Sequence, residues 1–184
     1  MQHFRVKLYA AAEAGYEAGG AIPVFHRWIQ NGTLGELLID VADYRHVPAG
    51  PGIVLVGYDG IYGLDETGHR LGLLYTRRTA LEGTVAERIA QAYDAAVRAA
   101  RSLAGEPEFA GKVRFDEQRW ELSVNDRLLA PNDDASWGAL EPAVRAFVEA
   151  RFGAGKCRWV RAGERRDLLT AAISPLQQEI SPLQ

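Results

Sequence analysis

The sequence predicts an α+β fold, a largely antiparallel sheet with about three helices packed mainly on one face. Three observations carry that prediction. Apolar and polar residues alternate over several short runs, the period of a half-buried strand. Longer segments repeat apolar residues every three to four positions, the period of a helix lying on a core. Most strand-like runs are separated only by turn residues, which favours antiparallel neighbours over long crossovers. The predicted order is β-α-β-β-β-β-α-β-β-α-β-β. The chain has 184 residues, 47% hydrophobic and 24% charged, enough for one domain with a sizeable core.

The first strand is Phe4 to Ala10, where Phe4, Val6 and Leu8 alternate with Arg5, Lys7 and Tyr9. A Gly/Ala/Glu-rich loop follows. "AIPVFHRWIQNG" then reads as a short helix: Pro23 suits a first turn, Gly32 a stop, and Ile22, Phe25, Trp28 and Ile29 share a face. In "ELLIDVADYRHVPAGPG" the alternation puts Leu37, Ile39 and Val41 on one face and Leu38, Asp40 and Ala42 on the other. Ile53 to Val56 is apolar on both faces, as in a central strand. Asp59-Gly60 predicts a tight hairpin and Thr67-Gly68 a second turn. Gly57, Gly63 and Gly72 lie within strands and predict bulges or close backbone approach.

Thr84 and Glu87 form a capping box ahead of the clearest helix. Its stripe is Val85, Ile89, Tyr93, Ala96, Val97, Ala100 and Leu103. Asp94 and Arg98 are spaced to pair across one turn, and Gly105 and Pro107 end the helix. "KVRFDEQRWELSVND" reads as a second hairpin. A third helix carries Trp137, Leu140, Val144, Phe147, Val148 and Phe152 on one face, with Pro142 predicting a kink or a late start. "KCRWVRAG" and "RDLLTAAI" form a final strand pair. Residues 1–173 make one domain; 174–184, with its repeated "ISPLQ", is an extended tail. The two predicted hairpins, each followed by a helix, suggest an internal duplication of a strand-strand-helix unit.

A formal charge of −3 weighs against nucleic acid and anionic membrane surfaces as partners. One cysteine, Cys157, excludes an intramolecular disulfide and fits the cytoplasm. No stretch is apolar for long enough to span a bilayer. "GAGKC" lacks the first glycine and the Ser/Thr of a phosphate loop, and no other cofactor motif is complete, so no cofactor is expected.

Asp40, Asp43 and His46 could hold a divalent cation or perform acid-base chemistry, with His26 on the preceding helix and Tyr58 as further candidates. Their spacing argues for the plainer reading: residues three apart on a strand face opposite ways, and Asp43 to His46 belongs to a polar turn. Lys156, Arg158, Arg161 and Arg165, in the basic stretch from Arg151 to Arg166, could bind an anion or nucleic acid. An edge strand kept soluble by charge explains them as well.

"IPVFHRWIQ", "LLIDVADYRHVPAGPG", "GLLYTRR" and "NDRLLAPN" together resemble the strings of a family of small bacterial proteins to which no activity is attached. The resemblance runs from about Phe4 to Ile173. It implies a bacterial, cytosolic, stand-alone domain and supplies no catalytic residues. Family members carry a His-Glu pair where this chain has Tyr58-Asp59, a departure that counts against chemistry there.

The leading expectation is therefore a small soluble non-catalytic binding protein, a homodimer or the partner of another protein. The alternative is a small hydrolase or metal-dependent enzyme built on Asp40, His46 and His26. The third is anion or nucleic-acid binding by the basic stretch.

Overall fold

The computed structural model describes residues 1–13, 15–47 and 50–176. Its elements are β1 (Phe4–Glu13), α1 (Ala21–Asn31), β2 (Leu38–Asp43), β3 (Ile53–Gly57), β4 (Gly60–Asp65), β5 (Gly72–Arg77), α2 (Val85–Gly105), β6 (Val113–Val124), α3 (Asp134–Phe152), β7 (Cys157–Ala162) and β8 (Thr170–Pro175). The strands form one sheet in the order β2-β3-β4-β5-β1-β6-β8-β7. Every pairing is antiparallel. The α+β prediction holds. No helix among the described residues is long and apolar enough to cross a membrane.

The predicted second hairpin is a single twelve-residue strand, β6. Its polar middle, Asp116 to Arg119, bulges out rather than turning, because both ends of β6 pair with β1, with register shifts between Leu8 and Ala12. These irregularities absorb the mismatch that a turn would otherwise resolve. The strand-strand-helix duplication falls with that hairpin. A different repeat stands in its place. β1 leads through α1 to the far edge, and β2 to β5 then step back inward until β5 pairs with β1. β6 leads through α3 to the opposite edge, and β7 and β8 step back until β8 pairs with β6. The two units meet at β1–β6.

The helices cover the face that bears Phe4, Val6 and Leu8. Tyr93 of α2 and Phe147 of α3 pack on Trp120 of β6, with ring centroids 4.9 and 5.8 Å away, and Trp120 lies opposite Leu8. Val24, Phe25 and Trp28 of α1 join the same core against Leu38 and Leu55. The Thr84–Glu87 capping box starts α2 as predicted. Asp94 instead meets Arg151 of α3 at 3.1 Å, while Arg98 donates to the Leu34 carbonyl. Tertiary partners thus override the one-turn pair, which contributes only about 0.2–0.5 kcal/mol. α3 runs through Pro142 and starts at Asp134, capped by Asp133. Ser174 and Pro175 belong to β8; the remaining tail, 177–184, lies outside the described residues.

Candidate functional site

β2 is an edge strand, and one bulge decides what it presents. Leu38 pairs with Gly57 but Asp40 with Val56, so two β2 steps oppose one β3 step. The extra residue inverts the predicted alternation at the start of the strand. Leu38 turns into the core, and Ile39 is left outside. Beyond the bulge, Asp40 heads a cross-strand row through Val56, Ile61, Thr76, Arg5 and Ser123. That row lies on the face without helices. α1 and His26 lie over the other face, so the sheet separates Asp40 from His26, and both side chains are exposed.

Asp40 has a local partner. Its Oδ1 accepts from the backbone N–H of Val41 at 2.8 Å. Tyr44 N–H donates inward to the Gly52 carbonyl, so by alternation the Val41 amide points away from β3, along the open edge. The Asp40 carboxylate therefore caps an edge amide that would otherwise be free to pair. Asp43 faces the opposite way and clasps Arg45, Oδ2 to Nη2 at 2.6 Å. The guanidinium, then the Arg45 backbone N–H, hold its carboxyl down at about 2. His46 is exposed in the same turn. Among the described residues no three His, Cys, Asp or Glu side chains are grouped to hold a metal ion, so Asp40, Asp43 and His46 do not converge.

Tyr58 sits at the tip of the β3–β4 hairpin. The loop is Tyr58-Asp59 rather than Asp59-Gly60, and neither Asp59 nor Gly60 adopts a positive φ. Glu36 stabilises this turn instead, accepting from the amides of Asp59 at 2.9 Å and Gly60 at 3.2 Å and from the Tyr62 hydroxyl. Tyr58 N–H donates to the Leu37 carbonyl, which ties the hairpin tip to the start of the edge. Leu37, Ile39, Tyr44, Val47 and Tyr58 are between 40% and 68% exposed. Large apolar side chains thus concentrate along residues 37–47 and the hairpin beside them.

The basic stretch does not converge on a single point. Arg151 pairs with Asp94, Arg161 with Asp134 at 2.7 Å, Arg166 with Glu164, and Arg158 donates to Ser174 Oγ. Lys156 and Arg165 remain exposed on the turns flanking β7. Cys157 is buried, which pushes its thiol pKa up and disfavours the nucleophilic thiolate.

A second region emerges only in the folded chain. On the face without helices, Lys7 Nζ donates to Asp65 Oδ2 at 2.5 Å, and both side chains are about nine-tenths buried. The pair crosses β5. A Cβ at Gly72 would lie 2.6 Å from Lys7 Cε and 2.7 Å from the Leu8 carbonyl oxygen, so glycine makes room for both the lysine chain and the neighbouring backbone. Thr67 donates its hydroxyl to the other Asp65 oxygen at 2.7 Å. The Arg70 guanidinium stacks on the Tyr9 ring at 3.6 Å, a cation–π contact. Burial first, then the neighbouring Glu121 carboxylate, raise the Tyr9 pKa, so the phenol keeps its proton. The turn that supplies Thr67 and Arg70 also holds His69 at φ 57, in left-handed backbone.

A cleft of about 460 Å³ opens beside this cluster, lined by Arg5, Lys7, Tyr9, Asp65, Glu121, Ser123, Arg127, Asp167 and Thr170 among others. Another, of about 500 Å³, lies on the far side of the turn against Tyr44, Arg45 and His69. Neither is lined by Asp40, His46 or His26. Sequence alternation had placed Arg5, Lys7 and Tyr9 on the outer face of β1 but carried no sign of their partners. The one local hint was Gly72, a glycine inside a strand. No family model and no curated protein matches the chain.

Proposed function

We propose that this is a small non-catalytic binding protein that self-associates as a homodimer through residues 37–47 and Tyr58. The bacterial, cytosolic setting implied by the family resemblance belongs to the same proposal. The observation that supports it is the concentration of exposed Leu37, Ile39, Tyr44, Val47 and Tyr58 on one edge. Exposed apolar side chains gathered in one patch mark interaction surfaces.

A second copy is the partner that fits. Within the segment Asp43 and Arg45 neutralise each other, which leaves Asp40 toward one end and His46 toward the other. A two-fold, antiparallel contact sets Asp40 of each copy toward His46 of the other and apolar residues on apolar residues. Asp40, by capping the Val41 amide, directs the contact toward side chains and away from open-ended strand addition.

The enzymatic alternative has less to stand on. Asp40 and His26 lie on opposite faces of the sheet, and Asp43 is engaged with Arg45. Light scattering on the purified chain is expected to give a dimer at micromolar concentration. Leu37→Ser with Ile39→Ser is expected to give a folded monomer. A wild-type monomer at every concentration tested overturns the proposal.

A further inference from the structure

The cleft on the helix-free face rests on observations independent of the β2 edge. Three of its lining side chains are cationic, Arg5, Lys7 and Arg127, and three are anionic, Asp65, Glu121 and Asp167. Lys7 and Asp65 neutralise each other. Asp167 accepts from the Glu164 amide, and Glu121 sits beside the neutral Tyr9 phenol; neither carboxylate has a cationic partner within ion-pair distance among the described residues. Arg5 and Arg127 likewise have no hydrogen bond or ion pair among the described residues. Arg5 is half-buried, so its bare guanidinium costs more than one on the open surface.

The hydroxyls beside it add acceptors rather than donors. Thr170 spends its hydrogen on the Leu168 carbonyl at 3.0 Å, so in the 2.8 Å contact between Ser123 and Thr170 the serine must be the donor. Both hydroxyl hydrogens are committed, and lone pairs face the cleft. The donors left for an anion are the two guanidinium groups. The acceptors left for a cation are Glu121, Asp167 and the hydroxyl lone pairs.

A polyanion such as a nucleotide phosphate would meet two uncompensated carboxylates. A simple cation would meet two uncompensated arginines. We infer that the cleft binds a small zwitterion of the α-amino-acid class, its carboxylate on Arg5 and Arg127 and its ammonium on Glu121. Arg5 pairs with Ser123 and Lys7 with Glu121, so Arg5 and Glu121 are diagonal neighbours on adjacent strands. Such neighbours are about 7–8 Å apart at the backbone. Opposite charges rooted that close together suit a ligand whose own opposite charges are close together. The Lys7–Asp65 pair and the Tyr9–Arg70 stack form the wall that keeps Glu121 in place.

The test is calorimetry with L-alanine, L-glutamate and L-arginine as probes. Each is run against the matching amine lacking the α-carboxylate and the matching acid lacking the α-ammonium. At least one amino acid is expected to bind saturably, with both of its analogues weaker by tenfold or more. Arg5→Gln is expected to weaken binding at least tenfold. Glu121→Gln should remove the preference for the amino acid over its deaminated acid, a change in specificity that loss of fold cannot imitate. Circular dichroism melts check that both variants fold. Absence of binding by all three amino acids overturns the inference, and so does equal binding of the deaminated acids, which would make the cleft a plain anion site.

Discussion

On the helix-covered face, the row Val41, Leu55, Tyr62, Tyr75, Val6, Leu122 and Ala171 is closed by hydrophobic and aromatic side chains from one edge almost to the other. One residue along, the open-face row reads Val54, Gly63, Leu74, Lys7, Glu121, Ala172 and Val160. The same strands, in the same register, carry both. The first row is held by burial, which depends on volume and tolerates changes of shape poorly. The second is non-polar toward both edges and polar at its centre, where Lys7 bonds Asp65 and Glu121 lies beside Tyr9. The covered face can exchange one apolar residue for another of equal size, whereas the centre of the open face depends on charge and partner.

The largest expected effect tests the covered face. Trp120→Ala removes the ring that Tyr93 and Phe147 pack against, and should cost about 3–5 kcal/mol in denaturant melts. If Leu74→Ala, on the open face, costs as much, the contrast between faces is wrong.

Asp65→Ala should cost nearly as much, about 3–5 kcal/mol, because it leaves Lys7 charged, buried and unpaired. Replacing both partners, Lys7→Met with Asp65→Leu, should return most of that stability, since a buried ion pair contributes little beyond a hydrophobic pair of similar volume. A double variant no more stable than Asp65→Ala alone would show that the pair supports more than itself.

Gly72→Ala should cost about 1–3 kcal/mol, as overpacking does. Most of the loss should remain when Lys7 is truncated to alanine, because the new methyl group also meets the Leu8 carbonyl oxygen at 2.7 Å, which cannot swing aside. A loss that vanishes with Lys7→Ala would place the strain on the lysine chain alone.

Asp40→Ala should leave stability within about 0.5 kcal/mol, as for most surface changes. The readout is amide hydrogen exchange at Val41, expected to accelerate once the carboxylate no longer caps that N–H. Unchanged exchange would remove the edge-capping role.

The smallest effect is the titration of Asp43. Its carboxyl is held below the ordinary value of 3.8, at about 2, by Arg45. A lowered folded-state pKa contributes above the unfolded value and is lost as pH falls through the folded one. The Asp43–Arg45 clasp should therefore persist to about pH 3 and open near pH 2, read from the Asp43 carboxyl carbon by NMR. A midpoint near 3.8 contradicts the clasp in solution.

Much of the fold was legible residue by residue. The α2 capping box, the stop at Gly32, the stripe from Ile89 to Leu103 and the alternation of β1 are local patterns, and each appears in the structure as read. Asp40 and Asp43 on opposite faces follow from strand period alone. β6 reads as a hairpin because its polar middle looks like a turn; pairing of both its ends with the same strand, β1, makes it one strand with a bulge. The Leu38–Asp40 bulge reversed Ile39 and Leu38, since one inserted residue moves each to the other face. The open-face cluster was beyond reach, because Lys7 and Asp65 are 58 residues apart and each looks like an ordinary surface charge.

By itself, the sequence determined the three helices, most of the strands and the apolar face of β1. Those choices rest on backbone sterics and on periods of 2 and 3.6 residues, which act within a few positions of the chain. The tertiary structure decided the strand order, the bulge at the edge and the pairing of Lys7 with Asp65. Those depend on which distant segments meet and in what register, and a one-residue slip in pairing changes every neighbour a side chain has.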